Sequence, residues 1–183
     1  VAKSAIVDID NTLWQFSDAL YSELALVNSA FPRPDAWKDW DIWQGFCSKE
    51  DFYAAIGKVH SNQDDARYLP YPGAGAFLEA LRAHGYHITI ASHRSPEHTA
   101  PTEKWLQRHG LVYDELHLSH KKTDIYSSST DVVVDDIPQF LERAVECGAK
   151  AVGLMFPWNE AYRRNGFRFY PSLDEVLAYI LQT

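Results

Sequence analysis

The chain predicts an α/β protein: a parallel sheet covered on both faces by helices, with a small helical insertion after the first strand. Three observations predict it. Short apolar runs at residues 5–7, 87–91 and 132–134 read as buried strands, and amphipathic segments of helical length separate them. The first and third runs lead into aspartates (Asp8, and Asp135-Asp136), while the second ends at Ser92. Between about Trp14 and Tyr71 strand signals vanish and helical ones replace them.

Taken in order, Ala5-Ile6-Val7 forms the first strand and runs into Asp8-Ile9-Asp10-Asn11-Thr12. In the insertion, residues 18–29 repeat apolar side chains at helical spacing through Leu20, Leu24 and Val27. Pro32, Pro34, Pro70 and Pro72 punctuate the segment. Ser48 is an N-cap followed by the acids Glu50 and Asp51 in a first helical turn. Trp37, Trp40, Trp43 and Phe46 recur every three residues, a spacing that gives a small helical unit its core or offers a flat ligand a stacking surface. After Gly73 the alternation resumes with a helix at 74–84, a strand at 86–91 and a helix ending by Gly110. A strand at Glu115–Leu118, a strand at 131–135, a helix at 137–146 and a strand at 149–154 follow. Ser172 and Glu175 make a capping box for the last helix. The core is therefore expected at 1–14 and 71–183, and the insertion at 15–70.

Composition is consistent with this plan. With 183 residues and 46% apolar content the chain can bury a real core. A net charge of −8 disfavours a broad surface for nucleic-acid duplexes or acidic membranes. No apolar run approaches a bilayer span, and the first strand starts too early for a leader peptide. Cys47 and Cys147 lie far apart without metal-ligand spacing, as reduced thiols do, so a cytoplasmic location is expected.

The chemistry lies at the strand ends. Alternation sends Asp8 and Asp10 to the same side of the sheet edge. Two such carboxylates repel unless they share a proton or a cation, and magnesium is the hard cation that suits an oxygen cluster. In a parallel α/β sheet, ligands bind beyond the carboxyl ends of the strands, where Ser92, Asp135 and Asp136 converge with this pair. A calcium-binding EF-hand loop is excluded, because Leu13 and Ala19 stand where it needs Gly and Glu. No glycine-rich dinucleotide turn follows the strand, and Ser92 lacks the glycines of a nucleophile elbow. His117 and His120 have a ligand-like spacing but lack further zinc donors.

This constellation resembles the haloacid dehalogenase superfamily of phosphohydrolases over nearly the whole chain. The resemblance implies a Rossmann-like three-layer α/β/α sandwich with the insertion as a cap over the site. It assigns Asp8 as nucleophile and Asp10 as general acid/base. Ser92 becomes a phosphoryl-binding hydroxyl, Lys122 the phosphate-binding lysine with Lys104 and Lys121 as competitors, and Asp135 and Asp136 the acidic fourth motif. Magnesium is implied as cofactor, held by Asp8, Asp10 (through its backbone carbonyl), Asp135 and Asp136. Within the superfamily the chain is most similar to the 5'(3')-deoxyribonucleotidase group. The matching features are Phe16 eight positions after the nucleophile, Lys122-Thr123 before Asp135-Asp136, Pro72-Gly73-Ala74, and Phe156-Pro157-Trp158-Asn159. It departs from that group at Ile137 and at Ser92-His93-Arg94. The Leu13-Trp14 step and Ser92-x-Arg94 resemble the magnesium-dependent phosphatase family instead, which has a smaller insertion.

The implied partner is a small phosphorylated substrate, with a nucleotide as the first candidate and sugar, amino-acid or phosphotyrosine esters as alternatives. His93, Arg94 and Phe16 join Asp8, Asp10, Ser92 and Lys122 as candidate substrate contacts. A non-catalytic phosphate-binding regulator is the competing class. The intact acids at Asp8, Asp10, Asp135 and Asp136 oppose it, since a silent site has no reason to retain so repulsive a cluster. The sequence sets no oligomeric state.

Overall fold

The computed structural model describes residues 3–165 and 167–182; Val1, Ala2, Gly166 and Thr183, expected to belong to the core, lie outside the described residues. Among the described residues six strands form one parallel sheet: β1 (Lys3–Val7), β2 (Tyr86–Ser92), β3 (Glu115–Leu118), β4 (Val132–Val134), β5 (Lys150–Leu154) and β6 (Arg168–Tyr170). Their order is β3-β2-β1-β4-β5-β6. The helices are α1 (Phe16–Val27), α2 (Lys49–Ser61), α3 (Ala74–Ala83), α4 (Thr99–Arg108), α5 (Pro138–Glu146) and α6 (Leu173–Leu181).

Alternation along the strands builds two cores. Ala5, Val7, Ile88, Ile90, Val132 and Val134 pack with Phe77 and Leu81 of α3 and Val176 and Ile180 of α6. Ile6, Ala91, Val133 and Ala151 point the other way, against Leu141 and Ala144 of α5. The result is a Rossmann-like three-layer α/β/α sandwich, as the alternating segments predict. No helix among the described residues is long and apolar enough to cross a membrane.

The sequence-based bounds hold to within a residue or two, with additions and one correction. β6 carries only three residues, too few for alternation to register, and it is recruited by pairing with β5. The regular spacing of Trp37, Trp40 and Trp43 is not a helix. A 3₁₀ turn at Pro34–Ala36 is followed by bends, in which the Asp39 carboxylate accepts from the Asp41 N–H at 2.9 Å. Closely spaced prolines and that side-chain capture give the backbone better partners than an α-helix would. Ser48 does cap α2 by accepting from Asp51 N, and Ser172 caps α6 by accepting from Glu175 N.

Between Leu13 and Tyr71 no described residue joins the six-stranded sheet. Trp14 bridges Pro70, Tyr71 N donates to Leu13 O at 2.7 Å, and the Tyr71 hydroxyl donates to Gln15 Oε1 at 2.9 Å. Within this excursion α1 and α2 pack together, burying Leu20 and Leu24 against Phe52, Ala55 and Val59.

One glycine governs the sheet edge where the acids emerge. A Cβ on Gly153 of β5 would stand 1.9 Å from the Asp135 carbonyl oxygen, which no side-chain adjustment relieves. Gly153→Ala is expected to cost about 1–3 kcal/mol in a urea melt, by the penalty for overpacking a rigid contact, and to displace the Asp135 backbone.

Candidate active site

The sheet register assembles the site. Val7 lies beside Ile90 on one side and Val134 on the other, so Asp8 and Asp135 leave the carboxyl edge next to each other. Ser92, two residues beyond Ile90, closes β2 at the same edge. The strand order reverses between β1 and β4, and this switch point leaves a crevice that neither crossover covers. Asn11, directly after the Asp8–Asp10 pair, adopts φ 56°, a left-handed turn that asparagine tolerates. Its Oδ1 accepts from Ser17 N at 2.9 Å and anchors the start of α1.

Carboxylate oxygens of Asp8, Asp135 and Asp136 lie within 4.8 Å of one another, and all three residues are buried. Lys122, on a 3₁₀ turn at Lys122–Ile125 and 2% exposed, donates to Asp8 Oδ1 at 2.8 Å and to Asp135 Oδ2 at 2.6 Å. Asp136 Oδ2 accepts from the Trp158 indole at 2.8 Å and from Asn11 Nδ2 at 3.5 Å. Burial, above all, pushes the Asp8 carboxyl up to about 7; Lys122 pulls it down while Asp135 and Asp10 add to the rise. Burial and then Asp135 and Asp8 push Asp136 well above the ordinary range. For Lys122 burial opposes the charge, but Asp135 and Asp8 outweigh it and hold the ammonium above its usual range. Three carboxylates against one ammonium leave two negative charges in an all-oxygen pocket. That donor set fits a hard divalent cation such as magnesium.

Asp10 has a different environment. Its Oδ1 accepts from the Trp14 indole at 2.9 Å and from Arg94 Nη2; its Oδ2 lies 2.9 Å from His60 Nε2 and 3.2 Å from Arg94 Nε. Arg94, fully buried, is itself fixed by Thr102 Oγ1 and Gln63 Oε1, each at 2.9 Å. Burial would raise the Asp10 carboxyl, but Arg94 and then His60 outweigh it and hold the group far below the usual carboxylate range. The Asp10 carboxylate is thus not one of the three clustered acids, and the metal contact expected of Asp10 is through its backbone carbonyl, not this side chain.

The remaining expected residues divide. Ser92 is 1% exposed and its Oγ has no hydrogen-bond partner among the described residues, although it lines the same cavity as Asp8. Of the competing lysines, Lys122 alone is brought to the acids. Lys104 is exposed with its ammonium 4.0 Å from Asp64, and Lys121 is exposed. His93 stands at the exposed rim with its ring 5.1 Å from that of His120. Phe16 is 4% exposed and stacks on the His60 ring at 5.1 Å, which makes it a support for His60 more than an open platform. Trp37 is buried, its indole donating to Pro32 O, whereas Trp40 lines the cavity. Sequence reasoning missed His60, Gln63 and Trp158. His60, on α2, and Gln63, two residues beyond its end, lie some fifty residues from Asp10, where the sequence reads them as ordinary polar positions.

These groups share a cavity of about 690 Å³ walled by Trp40, Phe52, Tyr53, Ile56 and Trp158 above the carboxylates. A pH prediction follows for the protein in chelator. Asp8 is raised from 3.8 to about 7 on folding, so its contribution to stability is full below pH 4 and is lost as pH rises through 7. Asp8→Asn should flatten that part of the pH–melting profile and raise the melting temperature at pH 8.

No protein-family model and no curated protein matches this sequence. Solved structures do. A haloacid dehalogenase-like family hydrolase from Streptococcus pneumoniae superposes with a TM-score of 0.70 at 17% identity, over 97% of this chain and 98% of that one. A predicted phosphatase from Clostridium acetobutylicum gives 0.69 at 15% identity, over 100% of both chains. A predicted phosphoglycolate phosphatase from Haemophilus somnus gives 0.63 at 19% identity, over 97% of both. At these identities the likeness is one of fold: this chain shares the architecture of the haloacid dehalogenase-like hydrolases and phosphatases.

Proposed function

We propose that the protein is a magnesium-dependent phosphomonoester hydrolase working through an aspartyl-phosphate, with nucleoside monophosphates as its substrate class. One observation carries the reading. A buried carboxylate at the tip of the central strand shares a cavity with an unpartnered serine hydroxyl, a buried ammonium and two further acids.

In the first half-reaction Asp8 attacks phosphorus in line, and the bond to the leaving oxygen breaks as Asp10 supplies that oxygen with a proton. In the second, Asp10 takes a proton from the water that hydrolyses the aspartyl-phosphate, restoring Asp8. Ser92 Oγ and Lys122 Nζ meet the phosphoryl oxygens, where fixed charges and dipoles do most of the work of phosphoryl transfer. Magnesium would be held by Asp8, Asp135 and Asp136, and it supplies the charge that lets three clustered carboxyls ionise together. Residues 15–70 act as a cap that excludes water and selects the leaving group.

Nucleotide selection is supported by the volume of the cavity and its flat walls. With Phe16 stacked on His60, Trp40, which lines the cavity, is the ring we assign to the base. Asp8→Asn is expected to lose turnover while keeping its circular dichroism and fold; retained magnesium-dependent hydrolysis would refute the nucleophile. In a panel with magnesium, nucleoside monophosphates should outrank sugar phosphates. Trp40→Ala should lower kcat/KM for nucleotides by about tenfold, the worth of one stacked ring, and leave glycerol 1-phosphate unchanged. Equal ranking of the two substrate classes would remove the nucleotide assignment.

A further inference from the structure

The Lys122 ammonium carries three N–H donors. Two are spent, on Asp8 Oδ1 at 2.8 Å and on Asp135 Oδ2 at 2.6 Å, and no hydrogen-bond acceptor among the described residues takes the third. Nζ lies instead over the face of the Phe140 ring, 4.2 Å from its centroid. The face of a benzene ring is negative and its edge positive, so it attracts a cation placed there, the more strongly where water is excluded. Water is excluded here, since Lys122 is 2% exposed.

Phe140 stands in the first turn of α5, which packs on the sheet through Leu141 and Ala144. Phe140 itself belongs to neither of the two described apolar cores. It lines the cavity, with the His93 ring 5.6 Å away. An aromatic side chain that fills no core and covers a buried ammonium is explained by the ammonium.

A lysine is a point charge on a flexible stem, so its partners decide where the charge stands. The two carboxylates that hold Lys122 have other claims on them. Asp8 must turn an oxygen toward phosphorus, and Asp135 Oδ1 already accepts from Ile137 N at 2.9 Å. Both also belong to the acid cluster that fits a divalent cation. Whatever draws on those oxygens loosens their grip on Nζ. The ring face has no such rival: a hard cation prefers carboxylate oxygen, and phosphoryl oxygens are repelled by the negative face. Nor does a ring cancel the ammonium charge, as a third carboxylate would.

Resting on the phosphomonoesterase reading above, we propose that Phe140 is a positioning residue for the phosphate-binding lysine. Its ring face holds the Lys122 ammonium beside the cavity while Asp8 and Asp135 serve other partners, and it leaves the positive charge to the phosphoryl oxygens. No bond forms or breaks at Phe140.

Phenylalanines carrying one, two and three ring fluorines, placed at position 140, test it, because fluorine withdraws electron density from the face and barely alters the shape. With magnesium and glycerol 1-phosphate, kcat/KM should fall stepwise along the series. It should reach about a thirtyfold loss with three fluorines, the worth of a desolvated cation–π contact. Phe140→Leu, which keeps an apolar side chain without a face, should lose at least as much. In chelator, with neither metal nor substrate, the melting temperature should fall in the same order, and the trend should vanish in a Lys122→Met background. A flat melting series, or the same trend without the lysine, would mean that ring and ammonium are not coupled and would overturn the proposal. Coupled melts with a flat kcat/KM series would overturn the positioning role and leave the phosphatase reading standing. If the Lys122→Met protein does not fold, the slope of kcat/KM on fluorine number decides, since a ring needed only for packing gives no slope. A wild-type protein that hydrolyses no phosphomonoester overturns the phosphatase reading, and the positioning role with it.

Discussion

Mutual repulsion among Asp8, Asp135 and Asp136 is the constraint around which the rest of the molecule is arranged. Three carboxyls brought within 4.8 Å and buried are unstable as a group unless positive charge is supplied. Lys122 supplies one, lying across Asp8 and Asp135, and its own burial is tolerable only because of them. The sheet accommodates the cluster at the strand-order reversal between β1 and β4, where the backbone leaves a crevice. Even the glycine at position 153 serves this arrangement, by letting β5 approach the Asp135 carbonyl.

The two carboxylates of the Asp8–Asp10 pair, one residue apart, have been driven to opposite electrostatic states. Asp8 is raised to about 7, chiefly by burial among acids, while Asp10 is held low by Arg94 and His60. Divergent environments of this kind give two like groups different chemical duties. The nucleophile proposed here is the acid whose charge depends on a bound cation. The proposed acid/base is the one with an organised set of hydrogen-bond partners.

The excursion from the core reaches both centres. α2 brings His60 to Asp10 and Gln63, just beyond its end, to Arg94. The bends after Pro34–Ala36 bring Trp37 and Trp40 against Trp158, with ring centroids 6.2 and 5.5 Å away, and Trp158 donates to Asp136. A shift of α2 or of the bends after Pro34–Ala36 would therefore disturb the partners of two carboxylates at once.

Particular residues show what could be read from the chain by itself. Asp8-Ile9-Asp10 after a buried strand, Ser92 after a second and Asp135-Asp136 after a third were legible, because strand period and parallel pairing carry their side chains to one edge. Caps at Ser48 and Ser172 were legible too, since capping is settled within three residues. The three-residue strand β6 was not, because its pairing with β5 and not its own pattern makes it a strand. Nor was the irregular course of the tryptophan segment, where proline spacing and an aspartate side chain outcompeted a helix. Local sequence thus determined the strands of the sheet and the acids at their ends. Only the folded chain decided that Lys122 and not Lys104 lies among the acids, that Phe16 supports a histidine, and that His60 and Trp158 hold the carboxylates. Those choices depend on burial and on contacts between residues tens of positions apart, which no periodicity along a single chain encodes.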